Sequence, residues 1–272
     1  MRRRRETPLL GRQLVVTRAR GDGARLAQAL RALGAAVAVC PAIEIVPPRD
    51  LGPLRRAIRD LASFDWIVFT SRHAVERFFR AIPRPRRGGR KLNLAGRKVA
   101  AVGPATRDAL RARGVAVRFV PDRSDAESLG RALARRGRLE GRSVLLPRSA
   151  IAPPDLASGL RRAGAIVADV PAYTTRTPRP GRAAERMRRL VRKGRIDAFL
   201  LASGSAARGV LALLGRRGGA ARGLKALAIG RSTAAEARRL GFTVLGVARE
   251  PSDEGLLAAT VERLRGGGAR SS

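Results

Sequence analysis

The 272-residue chain carries one cysteine, one histidine, one tyrosine and one tryptophan, and aromatic residues make up only 3% of it. A single cysteine, Cys40, excludes an internal disulfide framework and fits a reducing cytoplasm. One histidine and one cysteine, with no Cys/His cluster, argue against a structural zinc or iron–sulfur site. No metal is expected, and cofactor-free or organic-ligand chemistry is the starting point. Long apolar runs are missing too: Ala198-Phe199-Leu200-Leu201-Ala202 falls far short of the ~20 residues that span a bilayer. The positive start Met1-Arg2-Arg3-Arg4-Arg5-Glu6 leads into no such run, so no secretory signal is expected in it. Apolar residues still make up 44% of the chain at a mean hydropathy of −0.15, which excludes a disordered protein.

Acidic residues are scarce as well. Lysine and arginine total 57 against 21 aspartates and glutamates, giving a net charge of +36, and lysine occurs only at Lys91, Lys98, Lys193 and Lys225. Such a field attracts polyanions. The arginines, however, are scattered through nearly every predicted helix and loop. The lack of aromatics removes any stacking platform, and no recognition-helix pattern stands out. The charge reads as solvated surface that steers an acidic small molecule, and the reading disfavours a nucleic-acid partner.

What is present is regular punctuation. Strands are predicted at Leu14–Thr17, Ala36–Val39, Trp66–Thr70, Val99–Val102, Val115–Phe119, Val144–Leu146, Ile166–Val170, Ala198–Ala202, Ala226–Ile229 and Thr243–Val247. Helices fall between them, among them Gly23–Leu33, Leu54–Leu61, Arg72–Ala81, Thr106–Arg113 and Thr233–Leu240. Leu26, Leu30 and Leu33 form one apolar stripe at helical spacing. This alternation with short turns predicts an α/β fold whose parallel sheets are covered on both faces.

The chain also resembles itself. Arg18, Leu26, Leu30, Arg31, Gly34, Ala35, Val37, Pro41 and Ala42 recur 130 residues later as Arg148, Leu156, Leu160, Arg161, Gly164, Ala165, Val167, Pro171 and Ala172. Asp65, Ser71 and Ala74 recur 132 residues on as Asp197, Ser203 and Ala206. Gly103, Thr106, Arg111, Gly114, Val117, Glu127 and Leu129 recur 127 residues on as Gly230, Thr233, Arg238, Gly241, Val244, Glu254 and Leu256. Drifting offsets are what small loop insertions produce, so a duplicated two-domain protein is expected. Residues 41–48 and 171–178, proline-bounded and β-prone, are equivalent in the repeat and read as a two-strand linker. One discontinuous domain would then combine 1–42 with 178–272, and the other would run from 48 to 170. Pro83–Lys91 reads as a flexible basic loop and the C-terminal end, 265–272, as a frayed tail.

Two matched pairs of strand-to-helix turns could carry chemistry. Val102-Gly103-Pro104-Ala105-Thr106 and Ile229-Gly230-Arg231-Ser232-Thr233 offer a tight turn, a hydroxyl and helix N-terminal amides. Each is either an ordinary capped turn or a seat for a carboxylate or phosphate. Thr70-Ser71-Arg72-His73 and Ala202-Ser203-Gly204-Ser205 place hydroxyls and amides at strand C-terminal ends, where open α/β sheets bind ligands. His73 invites a general-base reading, but a lone histidine in a first helical turn is more often incidental. Neither a Gly-x-Ser-x-Gly elbow nor a phosphate-binding loop is present. Tyr173 lies on the second linker segment opposite Ile43 in the repeat, and it is either a packing aromatic or a phenol able to give a proton.

These residues together resemble the uroporphyrinogen-III synthase family from about Leu14 to Leu264. The features are Val16-Thr17-Arg18, Phe69-Thr70-Ser71, the two Gly-x-x-Thr turns, Pro171-Ala172-Tyr173-Thr174, Ser124–Leu129 and Pro251–Leu256. The resemblance implies two flavodoxin-like α/β domains on a two-strand linker, with an active site in the cleft. It also implies cyclisation of hydroxymethylbilane to uroporphyrinogen III, with loss of water and inversion of the last pyrrole ring, by a cytoplasmic monomer without cofactor. The substrate is a linear tetrapyrrole polycarboxylate. By this resemblance Tyr173 matches the family's catalytic tyrosine, which assists departure of the hydroxyl. Thr106, Thr233, Ser71, Arg72, Ser203, Ser205, Gly103, Gly230, Arg18 and Arg148 would bind substrate. The chain departs from the family pattern at Ser149–Pro154 and at Ala202–Ser205, next to Arg148 and at Ser203. Rival readings are an anion-sensing module on the same scaffold, for which no output domain is visible, and a basic nucleic-acid-binding protein.

Overall fold

A computed structural model describes residues 7–83, 94, 96–136, 138–215 and 221–265. The expected basic loop, from residue 84 onward, and the tail from 266 lie outside the described residues. In chain order the first elements are β1 (Gln13–Val16), α1 (Ala24–Ala32), β2 (Ala36–Val39), β3 (Glu44–Val46), α2 (Gly52–Arg59), β4 (Trp66–Phe69), α3 (Arg72–Ala81), β5 (Lys98–Ala101), α4 (Pro104–Arg111) and α5 (Ala126–Arg136). The rest are β6 (Ser143–Ser149), α6 (Asp155–Arg162), β7 (Ile166–Arg176), α7 (Arg182–Arg192), β8 (Ala198–Leu201), α8 (Gly204–Leu214), β9 (Lys225–Ala228), α9 (Arg231–Arg239), β10 (Thr243–Val247) and α10 (Asp253–Leu264). Among the described residues no helix is long and apolar enough to cross a membrane.

Two compact units result, Met1–Glu44 with Arg176–Ser272, and Ile45–Thr175. The first holds a parallel sheet in the order β10-β9-β8-β1-β2. Counted within the unit this is the 2-1-3-4-5 order of a flavodoxin-like, doubly wound sheet. The second holds the order β3-β7-β6-β4-β5, parallel from β7 to β5.

Period-two side-chain alternation explains why both faces of each sheet need cover. Phe199 and Leu201 of β8 face a cluster with α7 and α8, whereas Ala198 and Leu200 face α1 and α10. In the second unit Ile67 and Phe69 of β4 face α2 and α3, and Trp66 and Val68 face α5 and α6. A strand buried on both faces reads as a continuous apolar run, which is why Trp-Ile-Val-Phe and Ala-Phe-Leu-Leu stand out in the sequence.

Repeated sequence positions make matching bonds. Asp65 accepts the Ser143 amide at 3.0 Å and an Arg142 guanidinium at 3.1 Å, while Asp197 accepts the Gln13 amide at 2.8 Å and Arg12 at 3.3 Å. The Ser143 amide, with Arg142 beside it, holds the Asp65 carboxyl below its ordinary range. Arg31 donates to the Val37 carbonyl at 3.1 Å and Arg161 to that of Val167 at 3.2 Å.

Two expectations need correction. Val115–Phe119 forms no strand; only Phe119 bridges, to Ala100. Pro121, two residues on, lacks the N–H needed to extend the ladder, a stop that β10 does not meet. Conversely, the strand expected to end at Val170 continues through Pro171 to Arg176. The proline stands opposite Arg148, just before the register shifts between Arg148 and Ser149, an irregularity that tolerates a missing donor.

Candidate active site

In a doubly wound sheet the ligand crevice opens where the chain's winding reverses, at strand carboxyl ends. In unit Ile45–Thr175 that point lies between β4 and β6, and β4 delivers Thr70 and Ser71 to it. Ser71 is the N-cap of α3, in extended backbone, and its Oγ accepts the Ala74 amide at 3.1 Å. The same Oγ lies 3.1 Å from the Tyr173 hydroxyl. β7 carries Tyr173 there, its carbonyl accepting the Ala150 amide at 2.8 Å. The phenol ring is buried against the β4–α3 core, with 9% of the residue exposed. Burial pushes the Tyr173 phenol up from its ordinary pKa, and the Ser71 bond pulls it back. His73, half-buried, meets the Tyr173 ring edge-on, centroids 5.9 Å apart, with Nδ1 3.8 Å from the Glu76 carboxylate.

The Gly103 turn sits beside this one, because the Val102 amide bonds the Phe69 carbonyl at 2.9 Å. Gly103 caps α4 in extended backbone, and Thr106 in the first turn is buried. A side chain at Gly103 would collide with Ser124, its Cβ falling 2.5 Å from Oγ. The close approach of the loop before α5 therefore requires glycine.

Unit Met1–Glu44 with Arg176–Ser272 repeats the layout at β1 and β8. Ser203 caps α8 and accepts the Ala206 amide at 3.1 Å; the Ile229 amide bonds the Leu201 carbonyl at 3.0 Å and so sets the Gly230 turn alongside. Gly230 caps α9 in extended backbone and Thr233 is buried in its first turn. No tyrosine stands here; the position equivalent to Tyr173 in the repeat is Ile43.

Two of the arginines expected to bind substrate hold internal carboxylates. Arg148 is 7% exposed and donates from Nε to Asp169 at 2.7 Å; its other nitrogens bond the second Asp169 oxygen and the Pro153 carbonyl. It fastens the 149–154 turn to β7. Arg18 pairs with Asp253 at the start of α10. Arg72 is half-buried in the first turn of α3.

The structure adds residues that sequence reasoning missed. Glu236 of α9 accepts from Arg239 at 2.8 and 2.9 Å and from Arg208 of α8, which lies 3.4 Å from Ser205 Oγ. These bonds, that from Arg239 first, bring the Glu236 carboxyl down to about 2. Thr17, fully buried, donates to the Leu200 carbonyl at 2.7 Å and ties β1 to β8 at the winding reversal. The pairings cross 28 and 183 residues, so only the Val-Thr-Arg motif hinted at either. Cys40 is buried, and burial lifts its thiol to about 11, which removes it as a nucleophile. A separate groove of about 350 Å³ lies along the C-terminal half of α3, lined by Leu51, Arg55, Arg77, Arg80, Ile82 and Ala172 among others, and none of the expected site residues lines it.

The fold defines a doubly wound α/β protein whose strand-to-helix turns carry hydroxyls and helix N-terminal amides. The family model described as Uroporphyrinogen-III synthase HemD matches residues 24–258. A uroporphyrinogen-III synthase from Synechococcus elongatus is 35% identical over 64% of this chain and 64% of its own length. A porphyrin biosynthesis protein HemD from Ruminiclostridium josui is 28% identical over 85% of this chain and 45% of its own. The chain thus spans less than two thirds of these relatives. In fold it is similar to a mutant uroporphyrinogen III synthase from the extremely thermophilic bacterium Thermus thermophilus, with a TM-score of 0.62 at 22% identity, covering 93% of this chain and 98% of that one. The chain belongs to the uroporphyrinogen-III synthase family.

Proposed function

We propose that the chain closes hydroxymethylbilane to uroporphyrinogen III, releasing water and inverting the last pyrrole ring. The observation that carries this reading is the family match over residues 24–258, which includes Tyr173 and both Gly-x-x-Thr turns. Tyr173 gives its proton to the departing hydroxyl as the carbon–oxygen bond breaks, so the leaving group is water. Ring closure later expels a proton from carbon, and that proton restores the phenol. The chemistry needs no cofactor.

The substrate carries many carboxylates. The first-turn amides and hydroxyls at Ser71, Gly103 and Thr106 in one unit, and at Ser203, Ser205, Gly230 and Thr233 in the other, suit such groups. Arg72 adds a cation beside Ser71, and the net charge of +36 favours capture. In this reading the protein is a cytoplasmic monomer with a small-molecule substrate and no nucleic-acid partner. Incubation with hydroxymethylbilane, oxidation and separation of the porphyrin isomers test it: type III above the protein-free control supports the reading, and type I alone refutes it.

A further inference from the structure

We propose that Ser71 is a positioning residue for Tyr173: its hydroxyl, seated on the N-terminus of α3, donates to the phenol oxygen and leaves the phenol's own proton directed at substrate. The inference rests on the reading of Tyr173 as an acid, and it assigns the machinery behind that acid.

A serine hydroxyl has one proton and two lone pairs. The Ala74 amide takes one lone pair at 3.1 Å, as in any capped helix. Capping leaves the proton unspent, and the Tyr173 oxygen, also at 3.1 Å, is a partner for it. An amide donating into Oγ polarises the hydroxyl and makes it a better donor. Behind it stands the positive end of a ten-residue helix. Both effects favour charge on the phenol oxygen when the proton leaves, where burial of the ring alone would oppose it. The His73 ring against the Tyr173 ring adds a second wall that limits where the hydroxyl can point.

The other unit holds a natural control. Ser203 caps α8 through Ala206 with the same 3.1 Å bond, in the unit whose counterpart of Tyr173 is Ile43. A serine whose task is capping alone would behave alike in both places.

The chain's single tyrosine makes the test direct, because tyrosinate absorbance reports Tyr173 and nothing else. If Ser71 donates, Ser71→Ala makes the phenol about tenfold less acidic, the scale of one lost hydrogen bond to a charged group. Ser71→Thr restores the wild-type value, and Ser203→Ala, with the same lost cap, leaves it unmoved. An unchanged phenol, or a more acidic one, overturns the proposal; the latter would mean that Tyr173 donates to Ser71. Should alkaline titration unfold Ser71→Ala, the Cζ resonance of carbon-13-labelled tyrosine at neutral pH reads the same bond: loss of a bond accepted by the phenol moves Cζ downfield and loss of one it donates moves it upfield, so a downfield shift in Ser71→Ala absent from Ser203→Ala supports the proposal, and an upfield shift or no difference overturns it. None of these readouts involves turnover, so a chain that made only type I product would refute the cyclisation while leaving the Ser71 result to be judged by itself.

Discussion

Removing one oxygen separates chemistry from packing at Tyr173. Tyr173→Phe keeps the buried ring and loses the hydroxyl that faces Ser71. It is expected to lower kcat by about 100-fold or more, the usual share of a general acid, while the melting temperature moves little. Wild-type turnover with unchanged melting would remove the phenol from the mechanism. Arg148 is expected to behave in the opposite way. Arg148→Ala strips the Asp169 carboxylate and the Pro153 carbonyl of their donor, a loss of about 1.5–3 kcal/mol in denaturant unfolding. A variant of unaltered stability that binds substrate poorly would make Arg148 a substrate ligand and not a fastener of the 149–154 turn. At this scale the sequence was legible in part. Ser71, Thr106 and Thr233 announce themselves by turns that repeat, but an arginine looks the same whether it awaits a carboxylate or already holds one. The partner of Arg148 stands 21 residues away, and Ser71 lies 102 residues from Tyr173.

Among elements, a tight backbone approach lies where α8 crosses the chain after β2. A Cβ on Gly209 would fall 1.9 Å from the Ala42 carbonyl oxygen. Helix propensity alone favours Gly209→Ala by about 1 kcal/mol, yet backbone cannot yield here. The substitution is expected to destabilise by about 1–3 kcal/mol, as overpacking does, in thermal or urea unfolding. A gain in stability would show that α8 sits farther from Ala42. The α8–α9 pair predicts a pH effect. Glu236 falls from 4.5 to about 2 on folding, so the native state is favoured above pH 4.5 and loses that advantage as the pH drops towards 2. Melting temperatures of wild type and Glu236→Gln should therefore converge across that interval; parallel curves would contradict the Arg239 and Arg208 assignment. Elements were the most legible level, because strands buried on both faces are unbroken apolar runs. Proline misled twice: Pro121 ends a ladder that Val-Arg-Phe had suggested, whereas Pro171 sits inside β7 where the register shift spares its missing N–H.

For the molecule as a whole, two doubly wound sheets present matching turns, and only one carries a phenol. On the proposed reading, the turns of each unit bind carboxylates of the substrate and the phenol protonates its departing hydroxyl. A net charge of +36 should act mainly on encounter. Raising ionic strength is expected to lower kcat/KM several-fold while kcat stays nearly constant, since screening weakens steering more than chemistry inside the site. Equal losses in both would place the charge in the chemical step. The central claim is tested most directly by the isomer ratio of the porphyrins formed from hydroxymethylbilane by wild type and Tyr173→Phe in parallel. Predominant type III from wild type, formed far more slowly by the variant, is the predicted result. Type I alone from both, at the rate of the protein-free control, would contradict it.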